Sequence, residues 1–91
     1  MKKFSKKEPV AIDMPLRLEK VTGESYVTYI HGTVLPNQQT HVHAITMDDG
    51  KIITMEELLG RMMLTYPGDS VYDLEKYIRE SMIDCAEVDY G

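Results

Sequence analysis

From Val10 to Glu19 the chain reads VAIDMPLRLE, with Val10, Ile12, Met14, Leu16 and Leu18 apolar and every intervening position polar or small. Strict alternation of this kind predicts a β-strand with one buried face, because successive strand side chains point to opposite sides. Pro15 interrupts the donor row, so the strand is expected at a sheet edge or bent there. VTGES follows as a turn, with Gly23 able to take positive φ. YVTYIHGTVL, rich in β-branched and aromatic residues, predicts a second strand. PNQQ breaks it and THVHAITM predicts a third. Asp49-Gly50 reads as a two-residue hairpin turn into a short fourth strand over Lys51 to Ile53.

After Ile53 the apolar spacing changes to that of a helix. Thr54-Met55-Glu56-Glu57 has the form of a capping box, in which the Thr54 hydroxyl accepts from the Glu57 amide and the Glu57 carboxylate reaches back to the Thr54 amide. A helix is predicted to about Tyr66, with Leu58, Leu59, Met62 and Met63 on its apolar side. Gly60 within it suggests close packing. Pro67-Gly68 ends that helix, and Asp69 or Ser70 caps a second one whose inward stripe is Val71, Leu74, Ile78, Met82 and Cys85. The final EVDYG is expected to be loose. The order β-β-β-β-α-α predicts an α+β fold: a four-stranded antiparallel sheet with two C-terminal helices packed on one face. Residues 1–8 are expected to form a flexible basic tail, and residues 9–91 a single domain.

Hairpin pairing decides what the other face carries. With the first turn centred on Gly23 and the PNQQ loop on Asn37, Leu18 lies opposite Thr28, Leu16 opposite Ile30, Ile12 opposite Val34, and His31 opposite His43. Val42 and Ala44 then join the apolar face. Arg17, Tyr29, His31, His41 and His43 gather on the other, with Ile45 and Met47 beside them. Centring the second loop half a residue later moves His31 to the opposite face from His41 and His43.

Composition narrows the function classes. The chain has 91 residues, 43% hydrophobic and 27% charged, an ordinary balance for one globular domain. One cysteine excludes an internal disulfide and suits a reducing, cytoplasmic setting. No apolar run is long enough to span a bilayer, so no membrane role is expected. The net charge of −5 is uneven: residues 1–20 carry six basic and three acidic side chains, residues 48–91 four basic and eleven acidic ones. An acidic helical half disfavours nucleic acid, since phosphate contacts need Lys and Arg on the binding face, and fits a basic protein partner better.

Candidate chemistry is sparse. No nucleophile elbow, phosphate-binding loop, dinucleotide fingerprint or H-E-x-x-H is present, and no cofactor is implied. His41-x-His43 on one strand with His31 on its neighbour offers three nitrogens for a metal. The glycine and glutamate that flank the H-x-H pair of cupins have no counterpart at matching spacing, and Arg17 on the same face would repel a cation. Arg17, Tyr29, His31, His41 and His43 are the candidate ligand- or partner-binding residues, because Arg and protonated His suit an anionic ligand or an acidic surface. The leading expectation is a small non-enzymatic binding protein acting through protein–protein contacts: an inhibitor, adaptor or regulator of the size common among phage and mobile-element proteins. The alternative is a homo-oligomer that binds or sequesters a small anionic ligand such as a nucleotide. A three-histidine metal site at His31, His41 and His43 is the third reading.

Overall fold

The protein is described by a computed structural model covering residues 7–89. The expected basic tail lies mostly outside these residues. The chain forms β1 (Val10–Glu19), β2 (Ser25–Val34), β3 (Thr40–Met47), β4 (Ile52–Ile53), α1 (Met55–Thr65) and α2 (Val71–Asp89). The strands make one antiparallel sheet in the order β1-β2-β3-β4, and the helices cover one face of it. Pro15 sits on the edge strand, where its missing donor costs no ladder bond.

One turn geometry recurs in all three hairpins. Gly23, Gln38 and Gly50 each donate their amide to the carbonyl three residues earlier, of Lys20, Leu35 and Met47. Each has positive φ (94°, 71° and 89°). The loop closes when Lys20, Leu35 and Met47 donate to Glu24, Gln39 and Lys51. This is a three-residue loop with a left-handed last position. The Asp49-Gly50 turn is therefore one residue longer than expected; the Asp49 carboxylate accepts from the Lys51 amide and holds it. The first turn centres on Thr22 instead of Gly23. Leu18 consequently pairs with Tyr26, Leu16 with Thr28, Met14 with Ile30 and Val10 with Val34, a slide of two residues from the expected pairs. A two-residue slide preserves the faces.

The second hairpin departs further. It starts centred on Asn37, with Val34 opposite Thr40, Thr33 opposite His41 and Gly32 opposite Val42. The register then shifts between Gly32 and His31, so that His31 pairs with Ala44 and Ile30 with Ile45. His43 is the extra residue of a β-bulge, and the bulge inverts the phase of β3. Ile45 (2% exposed) belongs to the core and Ala44 to the outer face, the reverse of the expectation; Met47, opposite the buried Thr28, also packs against the core.

The core is the inner sheet face, Ile12, Met14, Leu16, Leu18, Ile30, Val34, Ile45 and Ile53, against Leu58, Leu59 and Met62 of α1 and Leu74, Ile78, Met82 and Ala86 of α2. Thr28, fully buried among them, donates its hydroxyl to the Leu16 carbonyl at 3.2 Å and so leaves no unmet polar group. Gly32 lets the layers close. A Cβ there would lie 2.4 Å from the His41 carbonyl oxygen and 2.7 Å from Met82 Cε.

The Thr54 capping box forms as expected. Ser70 caps α2, accepting from the Asp73 amide at 3.1 Å. Three details differ from expectation. Met63 and Val71 are exposed, and Ala86 takes the inward position beside half-buried Cys85, because the stripe on α2 advances by four residues. Gly60 faces open space, so close packing does not explain it. The helix continues through Glu87 and Val88 to Asp89, anchored by Ala86.

Candidate functional site

Among the described residues no helix covers the outer sheet face, which carries Arg17, Tyr29, His31, His41 and His43. They share the face without converging. Arg17 lies opposite Val27, four residues along β1 from Asp13, a separation of about 13 Å at strand rise. Tyr29 sits between Pro15 and Thr46 and is 38% exposed.

Each of two histidines is held by a neighbouring strand. His31 Nδ1 lies 2.6 Å from Asp13 Oδ1 on β1, and its Nε2 lies 2.9 Å from Thr46 Oγ1 on β3. His43 Nε2 lies 2.8 Å from Thr33 Oγ1 on β2. Asp13 and Thr46 are brought to His31 by the register itself, since Asp13 pairs directly with it and Thr46 stands diagonally across. The bulge separates His31 from His43 and spends both nitrogens of His31 on other groups. The expected His31–His43 pairing is thus absent. Among the described residues no group of three or more His, Cys, Asp or Glu side chains is placed to hold a metal ion.

Carboxylate, imidazole and hydroxyl in the order Asp13–His31–Thr46 are the parts of a nucleophile relay. A relay of this kind also needs donors above the attacking oxygen to stabilise a developing oxyanion. The N–H groups of paired strands point within the sheet plane towards their partners, so the strand backbone supplies none over Thr46. The arrangement accounts for an ordered polar surface across three strands.

The sheet edges are blunted. Pro15 interrupts β1, the His43 bulge kinks β3, and β4 pairs with only Ile45 and Thr46. Strand addition at an edge is disfavoured, which leaves the faces as contact surfaces.

The helical layer presents a different surface. Residues 54–89 hold nine acidic and three basic side chains, a net −6, while the rest of the chain sums to +1. Exposed apolar and aromatic side chains lie among the acids: Leu64 on α1, and Tyr72 (70%) and Tyr77 (48%) on α2. Where α1 hands over to α2, a cleft of about 330 Å³ is lined by Tyr66, Asp69, Asp73, Leu74 and Tyr77. The Tyr66 and Tyr77 rings meet at 6.2 Å and 55°. Burial holds the Tyr66 phenol above its ordinary pKa, with the Tyr77 hydroxyl and the Glu19 carboxylate adding to the effect. Thr65 fixes this corner: its hydroxyl accepts from the Glu19 amide at 3.1 Å and lies 3.3 Å from the Glu19 carbonyl.

The cleft escapes sequence reasoning, because Tyr66 and Asp69 belong to a connection whose path the sequence does not specify. The partners Asp13, Thr33 and Thr46 were also missed. Their signal lay in the register, which needed the bulge. No family model, curated protein or solved structure matches this chain. No helix among the described residues is long and apolar enough to cross a membrane.

Proposed function

We propose that this chain is a small binding protein that docks a basic protein partner through its helical layer. The observation that carries the reading is charge segregation: the helical segment holds a net −6, more than the whole molecule's −5, and exposes tyrosines among its carboxylates. Acidic groups steer a basic partner to the surface and enforce register, while aromatic anchors supply the contact energy. The role is that of an inhibitor, adaptor or regulator.

The test is capture from cells expressing the protein. Wild type is compared with a helical-face variant (Glu75→Gln, Glu80→Gln, Asp84→Asn) and a sheet-face variant (Tyr29→Ser, His41→Ser). A stoichiometric partner that falls away with added salt and with the helical-face variant supports the proposal. Absence of any stoichiometric partner, or loss with the sheet-face variant alone, rejects it. A second reading rests on the bare sheet face, where Arg17, Tyr29 and the histidines stand on an ordered polar surface suited to an anionic ligand shared between copies. Dependence of capture on Tyr29 and His41 would move the assignment there.

A further inference from the structure

The cleft between α1 and α2 has a chemistry more specific than general acidity. Its floor is apolar, made of Leu74 and the two tyrosine rings, tilted so that they form a corner instead of a stack. Asp69 and Asp73 stand at the rim. Asp73 is held in place because its Oδ2 accepts from the Ser70 hydroxyl at 2.9 Å. None of the five lining residues is basic. Arg61, on α1, is engaged elsewhere: its guanidinium lies 5.9 Å from the Tyr26 ring centroid and donates to the Tyr26 hydroxyl at 3.4 Å.

An aromatic corner with carboxylates at its rim matches one kind of side chain. A guanidinium is planar, lies flat against a tyrosine ring and presents a fork of donors to a carboxylate; it is also weakly hydrated, so it enters an apolar cleft at lower cost than an ammonium. The cleft, about 330 Å³, falls at the small end of the roughly 300–1,000 Å³ range of ligand sites, enough for one long side chain and the backbone beside it.

We infer that this cleft is a socket for an arginine side chain of the partner, with Tyr66 and Tyr77 as the platform and Asp69 and Asp73 as the anionic rim. The inference rests on the proposed docking of a basic partner and names the group that anchors it.

The test is a titration of the isotope-labelled full chain with nona-arginine, followed by amide NMR shifts, with the neutral nona-citrulline peptide as control. Shifts centred on residues 66–77 are expected with arginine and absent with citrulline. Tyr77→Ala should weaken binding between about threefold and thirtyfold, the range of a cation over an exposed to a desolvated ring. Tyr77→Phe should restore most of the affinity, since the ring face is kept. Asp69→Asn should weaken binding, whereas Glu8→Gln, beyond the far end of β1, should not. Arginine-dependent shifts elsewhere on the helices, with none at 66–77, overturn the socket and leave the acidic docking face intact. No shifts at millimolar peptide overturn both. Self-association of the chain alone that Asp69→Asn abolishes would assign the socket to the basic start of a second copy and overturn the partner assignment.

Discussion

Gly32→Ala is the perturbation whose effect the structure fixes most closely. Gly32 is on the inner face of the central strand β2, at the point where the β3 register shifts. An added Cβ would stand 2.4 Å from the His41 carbonyl oxygen and 2.7 Å from Met82 Cε. Met82 ends in a flexible thioether and can swing aside. The carbonyl belongs to the β3 backbone and would have to retreat by about 1 Å to reach ordinary contact distance. Overpacking of this kind costs about 1–3 kcal/mol. The opposing effect, lost freedom of the unfolded chain, would stabilise Ala by about 0.4–1 kcal/mol. The clash should win, for a net loss of about 1–2 kcal/mol. For a chain of this size that lowers Tm by roughly 5–15 °C, and it should lower the urea midpoint at an unchanged slope. Chemical denaturation followed by circular dichroism measures both. A Gly32→Ala protein as stable as wild type, or more stable, would refute the close approach of β3 and α2 at the bulge, and with it the inverted phase of β3.

Four further outcomes follow from the same structure. Met82→Ala should destabilise by about 2–5 kcal/mol in the same denaturation assay, because Met82 is fully buried between α2 and the sheet. Thr54→Ala should cost about 1 kcal/mol and fray α1 first in hydrogen exchange, since it removes the hydroxyl that accepts from the Glu57 amide and leaves only the Glu57 carboxylate on the backbone amide of residue 54. His31→Ala should cost about 1 kcal/mol, the net worth of its cross-strand bonds to Asp13 and Thr46, and should leave the helical layer's NMR shifts unchanged. Tyr66→Phe should remove an ionisation step above the ordinary tyrosine value of 10.0 in ultraviolet titration. Because the folded state holds that proton more tightly than the unfolded chain, the associated stability is complete below pH 10 and declines as pH rises through the folded value.

Alternation made the sheet readable. Ile12 to Leu18 repeat a two-residue period that only a half-buried strand satisfies, and Thr54 to Glu57 announce the change to helix in their own side-chain chemistry. The bulge was less visible, though its trace is there: Val42 is apolar and His43 polar, but Ala44-Ile45-Thr46-Met47 resumes the alternation one residue out of phase, opposite a glycine in the neighbouring strand. That single residue decided which side chains met His31. The candidate surface suffered most from it, because a face assignment reverses with every odd step of register. The cleft could not be read at all. It depends on how Pro67-Gly68 turns the chain, with Gly68 at φ 102°, and so on where Tyr66 lands against Tyr77 eleven positions later.

The surface assignment itself is tested most directly by hydrogen–deuterium exchange on the protein bound to its captured partner. Slowed exchange across Arg61 to Glu80, with β1 and β3 unchanged, is the result expected if the helical layer is the docking face. Protection confined to β1 and β3, with α1 and α2 exchanging as in the free protein, would contradict it.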